Sequence, residues 1–296
     1  MENKERRSWI AIPIIIIIAA GVALAGSQTG QNAGNVPIFS LCVALAFVIQ
    51  WIAFIPAYRF QTEKFFDLTG SITYISVILL ALLLSPALDG RSWLIAGMVI
   101  IWAVRLGTFL YQRILAAGED RRFREIKPSF ARFLLTWTLQ GLWVTFSLAA
   151  GLAAITSTLR VELGSFAVLG FLVWLFGFAI EVIADWQKSR FREDPQNVGK
   201  FIHSGLWAWS RHPNYFGEIV LWIGVAIVAL PVLRGWQWVT MISPIFIFLL
   251  LTRISGVPML ETRADEKWGG QADYEAYKAN TSILIPLPPK STSSPS

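Results

Sequence analysis

The stretch SGLWAWSRHPNYFGEIVLWIG, residues 204–224, indicates the fold of this chain. It is an apolar, tryptophan-rich run, typical of a membrane helix, that carries polar side chains near its start. These side chains are Arg211, His212, Asn214 and Glu218. Pro213 suits the first turn of a helix, so we expect a helix to begin there at a membrane interface. Asn214 and Glu218 are four residues apart and therefore share one face of that helix.

Composition predicts the same environment for the rest of the chain. Of its 296 residues, 55% are hydrophobic and 15% are charged, and the mean hydropathy is +0.55. Eight apolar runs are long enough to cross about 30 Å of hydrocarbon. They cover residues 9–26, 38–58, 68–88, 93–112, 133–154, 166–185, 213–230 and 235–251. We therefore predict an all-α, polytopic membrane bundle of about 7–8 transmembrane helices, the first of them retained rather than cleaved as a signal peptide.

Loops that are rich in lysine and arginine alternate along the chain with loops that contain almost none. The positive-inside rule then predicts that both termini are cytoplasmic, and topology accounts for the net charge of +6 without a nucleic-acid partner. We predict one membrane domain, residues 1–285, and a disordered proline- and serine-rich end, residues 286–296. The aromatic and charged segment before that end is expected to fold back as a cytoplasmic cap.

Charged side chains inside membrane helices cost roughly 2.5 to 3.5 kcal/mol each at the bilayer centre and therefore indicate function. Four charged residues recur at helical spacing across the end of the sixth run: Glu181 and Asp185 within it, and Lys188 and Arg192 just beyond it. This stripe can hold the hydroxyls and phosphates of a ligand, or it can be a ladder of ion pairs. At the start of the seventh helix, free amide groups and Arg211 predict an anion site, with interface snorkelling as the structural alternative.

A third group of charges surrounds the third and fourth runs. Arg105 lies inside the fourth run and needs a partner or an anion, which Asp67 or Glu63 could supply. The sequence has no dinucleotide-binding glycine motif, Walker loop or zinc-protease motif, and its one cysteine and two histidines predict no metal site. Any nucleotide is therefore expected to bind to the membrane helices and their loops.

The quoted stretch and the terminal DYEAYKANTSILIP together resemble the C-terminal half of the steroid 5-alpha-reductase and sterol-reductase superfamily, especially its bacterial members. The resemblance extends over about residues 67–286, and its motifs lie in residues 165–285. It implies a bundle that encloses NADPH and transfers hydride to a lipophilic enone or olefin, steroid-like or isoprenoid-like, which is then protonated. It also implies a bacterial inner-membrane location, with membrane lipid and a lipophilic substrate as partners.

The resemblance further implies roles for individual residues. The cofactor-binding residues that it implies are Arg105, Glu181, Asp185, Arg192, Arg211, His212, Asn214, Tyr215 and Glu218. Asp67 or Glu63 stands for the family's substrate-activating acid. The resemblance places Trp102 at the position of the family's tyrosine. Either Tyr111 or Tyr74 is then the candidate proton donor, or the product is protonated in another way. The arginines also predict a preference for NADPH over NADH.

Two other classes of protein share parts of this pattern. Isoprenylcysteine carboxyl methyltransferases and related phospholipid methyltransferases have a similar RHPxYxG element and closing segment, and they bind S-adenosylmethionine. Intramembrane acids also suit a proton-coupled transporter. No inverted repeat is seen in this sequence, which disfavours the transporter.

Overall fold

The computed structural model describes residues 2–288, so residues 289–296 of the predicted disordered end lie outside the described residues. Ten α-helices make up most of the described chain. They are α1 (Glu2–Ser27), α2 (Ile38–Arg59), α3 (Phe66–Leu84), α4 (Gly90–Ala117), α5 (Phe130–Thr156), α6 (Ser165–Glu193), α7 (Pro213–Ala229), α8 (Ile242–Leu249), α9 (Val257–Trp268) and α10 (Ala272–Asn280). An antiparallel pair, β1 (Asn32–Ala33) and β2 (Val36–Pro37), connects α1 to α2. The all-α prediction is confirmed.

Eight of the described helical segments are long and apolar enough to cross a membrane, and each overlaps a run predicted from the sequence. The chain is therefore an integral membrane protein, while the side on which its termini lie stays a prediction. The sequence predicts one helix over residues 235–251. In the structure the eighth segment, Gly235–Trp268, is not one continuous α-helix. It begins as a 3₁₀-helix, Gly235–Met241, and passes through a π-helical turn, Leu250–Ile254, before α9.

The chain forms two compact units within the described residues. Unit 1 contains residues 2–168 and 225–243, and unit 2 contains residues 169–224 and 244–288. The single membrane domain predicted from the sequence stays a prediction.

Unit 1 is built around α5, which is buried along most of its length and packs against α1, α2, α3 and α4. Small residues in the segment SLAAGLAA, residues 147–154, let neighbouring helices approach closely. A Cβ on Gly151 would lie 3.0 Å from Ile95 and 3.1 Å from Val225. The close packing of this helix therefore depends on residues with little or no side chain.

Unit 2 brings α6 and α7 into backbone contact through glycines on both helices. A Cβ on Gly217 would lie 2.6 Å from the backbone nitrogen of Glu181 and 2.6 Å from the carbonyl oxygen of Gly177. A Cβ on Gly224 would similarly lie 2.5 Å from the backbone nitrogen of Trp174. Because no Cβ separates the two helices, the polar residues of α6 lie beside the start of α7.

The C-terminal segment of unit 2 folds back on the connection between α6 and α7, as the sequence predicts for a cap. Arg211 donates its backbone N–H to Ser282 at 2.8 Å, and Leu287 donates to Trp209 at 3.0 Å. The indole N–H of Trp268 donates to the carbonyl oxygen of Gly199 at 2.6 Å. These bonds show an ordered cap through residue 287; its cytoplasmic location remains a prediction.

Replacing Gly217 by alanine is expected to destabilise unit 2 by about 1 to 3 kcal/mol, because the new methyl group meets backbone atoms that cannot rotate away. The measurement is thermal unfolding of purified protein in detergent. Gly21→Ala in α1 is the matched control, since nothing lies within 4 Å of its Cβ position. An equal melting temperature for Gly217→Ala and Gly21→Ala would contradict backbone contact between α6 and α7.

Candidate functional site

The start of α7 presents a run of polar side chains that unit 2 holds in place. Pro213 begins the helix as predicted, and the backbone N–H of His212 donates to the hydroxyl oxygen of Ser210 at 3.1 Å. The hydroxyl of Ser210 in turn donates to the carbonyl oxygen of Leu284 at 2.8 Å. The turn before α7 is therefore fixed by the folded-back C-terminal segment.

Asn214 on α7 and Asp185 on α6 form a direct hydrogen bond. The amide nitrogen Nδ2 of Asn214 donates to Oδ1 of Asp185 at 3.1 Å, and the Asp185 residue is only 5% exposed. A carboxylate accepts hydrogen bonds only, so this contact determines which end of the amide faces Asp185. The other end, Oδ1 of Asn214, is buried and has no hydrogen-bond partner among the described residues.

Glu261 on α9 binds both basic side chains of the turn before α7. Its Oε2 lies 3.0 Å from a guanidinium nitrogen of Arg211, and its Oε1 lies 2.7 Å from Nε2 of His212. The guanidinium of Arg211 also donates to the carbonyl oxygen of Lys278 at 3.1 Å. The predicted anion-binding arginine is therefore already paired with a carboxylate of its own unit, and its role as a phosphate ligand stays a prediction.

His212 is enclosed by protein, with 4% of its surface exposed. Burial lowers the pKa of His212 below its ordinary value, and the contact with Glu261 only partly opposes this effect. The imidazole is therefore neutral at neutral pH. Its second ring nitrogen, Nδ1, is buried and has no hydrogen-bond partner in the described part of the chain.

Aromatic side chains support the cap beside this turn. The hydroxyl of Tyr277 donates to the carbonyl oxygen of Trp207 at 2.7 Å. The indole N–H of Trp207 donates to the carbonyl oxygen of Ala184 at 3.0 Å. Burial raises the pKa of Tyr277, so its hydroxyl remains a donor. The ammonium of Lys188 lies 4.1 Å from the ring centroid of Trp207. This predicted member of the α6 stripe therefore contacts an aromatic face.

The remaining predicted residues of unit 2 lie on the same two helices. Glu181 is buried on α6, and Arg192 is near the exposed end of that helix. Tyr215 stacks on His212 with ring centroids 5.7 Å apart, and Glu218 follows one turn later on α7. Among the cofactor-binding residues predicted between positions 181 and 218, the described side-chain contacts join Asp185 to Asn214 and His212 to Tyr215.

Glu261 is the residue of this cluster that sequence reasoning missed. It lies in a segment predicted only to form a cap, 49 positions after His212. The available signal was an acid at helical spacing in a segment expected to fold back toward a histidine and an arginine. Periodicity alone could not show which acid of the segment meets them.

In unit 1, Glu63 has both carboxylate oxygens engaged. Oε1 accepts the backbone N–H of Asp120 at 2.8 Å, and Oε2 binds the ammonium of Lys127. Glu63 therefore ties the α2–α3 loop to the α4–α5 loop. The described contacts of Glu63 do not include Arg105. That Asp67 or Glu63 partners this arginine stays a prediction.

The other predicted residues of unit 1 are distributed over α3 and α4. Asp67 lies in the first turn of α3, where Arg113 and Arg122 supply positive charge around it. Arg105 and Tyr111 both lie on α4, and the guanidinium carbon of Arg105 is 5.2 Å from the ring centroid of Phe109. Arg105 lines a mostly apolar groove along α4. Its lining is Ile100, Ile101, Val104, Arg105, Thr108, Phe109 and Gln112.

Tyr74 and Trp102 contact each other edge to face, with ring centroids 5.0 Å apart, and both are buried. Trp102 is the residue that the resemblance places in the tyrosine position of the family. The structure therefore puts the ring of Tyr74, rather than that of Tyr111, directly against Trp102.

Two buried atoms of unit 2 have the chemistry to accept hydrogen bonds from the donor groups of a dinucleotide. Oδ1 of Asn214 and Nδ1 of His212 are buried acceptors that lack donors among the described residues, and the hydroxyl and amide groups of a dinucleotide are donors. No group of three or more metal-ligating side chains occurs in the described chain.

A family model described as "Protein of unknown function (DUF1295)" matches residues 53–281. Among curated proteins, 3-oxo-5-alpha-steroid 4-dehydrogenase 1 of Rattus norvegicus is 29% identical over 119 residues, 40% of each chain. A probable 7-dehydrocholesterol reductase of Acanthamoeba polyphaga mimivirus is 30% identical over 30% of this chain and 23% of its own.

A probable O-methyltransferase of Ustilaginoidea virens is 27% identical over 31% of this chain and 38% of its own. The matched region thus spans about two fifths or less of the length of these three relatives. No solved structure matches the chain significantly. The similarity to the reductases supports the steroid 5-alpha-reductase-like superfamily that the sequence motifs indicate.

Stability should fall as the pH is lowered below about 6.5, the ordinary pKa of histidine. The unfolded chain then binds a proton at His212 that the folded chain still excludes, so folding releases that proton and becomes less favourable. The measurement is the melting temperature between about pH 7.5 and 5.5. His212→Gln should show a shallower decline than the wild type, and His203→Gln controls for the loss of an exposed imidazole. Equal slopes for His212→Gln and wild type would contradict a buried neutral His212.

Proposed function

We propose that this chain, which belongs to the DUF1295 family, is a membrane-embedded NADPH-dependent reductase of a lipophilic enone or olefin. The observation that carries the proposal is the pair of buried acceptors on the α7 turn, one of them on the residue that is bonded to Asp185 of α6. Buried polar atoms in folded proteins are almost always hydrogen-bonded, and an exception needs an explanation. Similarity to a steroid dehydrogenase and a sterol reductase points to a nicotinamide nucleotide as the missing partner.

The residues of unit 2 have separate tasks in this proposal. Asp185 orients the amide of Asn214, so that its oxygen is available to a hydroxyl or amide donor of the nucleotide. Arg192, at the exposed end of α6, is the arginine proposed to contact a phosphate group of the nucleotide. When bound, NADPH supplies the hydride.

The acid and the tyrosine proposed for protonation of the product come from the family resemblance. The two engaged oxygens of Glu63 favour a structural role for that residue, which leaves Asp67 as the proposed acid. Tyr74 replaces Tyr111 as the favoured tyrosine, because its ring contacts the tryptophan that occupies the family's tyrosine position. The substrate is proposed to be lipophilic, because the chain is embedded in lipid and its superfamily acts on such molecules. The protein is proposed to lie in the bacterial inner membrane.

An S-adenosylmethionine-dependent methyltransferase is the second candidate. It is favoured by the similarity to a probable O-methyltransferase and by the shared RHPxYxG element. Both candidates predict a ligand at the start of α7, so they differ in which cofactor binds. A ligand that binds only the folded state raises its melting temperature by mass action.

The cofactor is identified by titrating purified wild-type protein separately with NADPH and S-adenosylmethionine, with heat of binding and thermal shift as readouts. NADPH should bind. Asn214→Leu should weaken its affinity about tenfold, as expected when one to two hydrogen bonds are lost. Asn35→Leu, at an exposed position between β1 and β2, is the control and should bind like the wild type. Binding of S-adenosylmethionine alone would replace the reductase by the methyltransferase.

Selectivity for the phosphorylated nucleotide gives an independent check. Wild-type protein should bind NADPH more tightly than NADH, and Arg192→Ala should reduce that ratio by about tenfold because a charge-assisted contact to phosphate is lost. The measurement is the ratio of the two dissociation constants. Equal affinities for both nucleotides in the wild type would count against the assignment of an arginine to the 2'-phosphate.

A further inference from the structure

We propose that His212 binds the nucleotide through its Nδ1 as a hydrogen-bond acceptor, and that Glu261 is the positioning residue that selects the required tautomer. The inference rests on the proposed function, since it assigns a contact to the same cofactor. The ligand group is a donor, either a ribose hydroxyl or an amide NH₂. The juxtaposition that carries it is a buried imidazole with one nitrogen on a carboxylate and the other facing no partner.

The contact with Glu261 determines where the imidazole proton is. Oε1 of Glu261 lies 2.7 Å from Nε2 of His212, and an ionised carboxylate can only accept. Nε2 must therefore carry the hydrogen. In a neutral imidazole the other nitrogen then has a lone pair and no hydrogen.

The neutral form is the one that the surroundings favour. His212 is 4% exposed, and besides Glu261 the charged groups that act on it are Arg211 and Lys188, both positive. The ring of Tyr215 covers one of its faces. Burial and the two neighbouring cations oppose a positive charge on the imidazole of His212. Glu261 favours that charge only in part, because it is shared with Arg211.

Asn214 supplies a second acceptor on the same turn. Its Nδ2 is engaged by Asp185, so its buried Oδ1 points away from that contact and has no donor among the described residues. Two partnerless acceptors within three positions match a ligand that presents several donors. Anionic groups do not fit these two atoms, because phosphate oxygens are acceptors themselves.

Glu261 itself is held by the rest of unit 2. Arg211, which it binds at 3.0 Å, is anchored to the carbonyl oxygen of Lys278. The C-terminal segment thus controls the hydrogen-bonding state of a residue on the α7 turn without contacting the nucleotide. Such an arrangement separates the residue that binds from the residue that positions it.

The test is ¹⁵N NMR of full-length protein in detergent with labelled histidine, recorded with and without NADPH. Only two histidines occur in the sequence, and His203→Gln assigns the signals of His212. We expect Nε2 protonated and Nδ1 bare without NADPH, and a change in the Nδ1 resonance toward that of a hydrogen-bonded acceptor with it. Glu261→Gln should mix the two tautomers, because a carboxamide presents both a donor and an acceptor.

Affinity measurements on matched variants complete the test. His212→Gln retains an amide donor for Glu261 but loses Nδ1, so NADPH affinity should fall about five- to tenfold while the melting temperature at neutral pH stays near that of the wild type. NADPH binding with an unmoved Nδ1 resonance, or a proton on Nδ1 in the free protein, overturns the inference and leaves the reductase proposal standing. Failure of NADPH to bind to wild-type protein overturns both.

Discussion

A polar side chain buried in protein is stable only when another polar group meets it, because burial removes the water that would otherwise bond to it. This constraint organises the charged residues of the chain. Arg211 and His212 share the carboxylate of Glu261, Asn214 meets Asp185, and Lys188 lies on an indole ring. The atoms that remain unmatched within this cluster are therefore informative. Three of them, Nε of Arg211, Nδ1 of His212 and Oδ1 of Asn214, lie on the turn that begins α7.

Two different features of unit 2 produce that cluster. Glycine contacts between α6 and α7 remove the side chains that would separate the helices, so that Asp185 and Asn214 can form a hydrogen bond. The C-terminal segment then supplies Glu261, whose position depends on the hydrogen bonds that fold this segment back. The first feature brings the two helices together, and the second places a carboxylate on Nε2 of His212 in the turn before α7.

The sequence predicted the parts of this structure that depend on local pattern. Apolar runs identified the eight membrane segments, Pro213 identified the start of α7, and helical spacing placed Glu181 and Asp185 on one face. Long-range pairing was beyond such reasoning. The partner of Glu63 is Lys127, 64 residues later, and nothing in the period of either segment indicates it. The π-helical turn at Leu250–Ile254 likewise has no clear signal in an apolar run.

The central claim is that unit 2 binds a nicotinamide nucleotide at the start of α7. A density map of the purified protein with NADPH tests it most directly. The account predicts density for the nucleotide within hydrogen-bond distance of Asn214 Oδ1 and His212 Nδ1, with Glu261 still on Nε2. Nucleotide density that touches neither of these two atoms would contradict it.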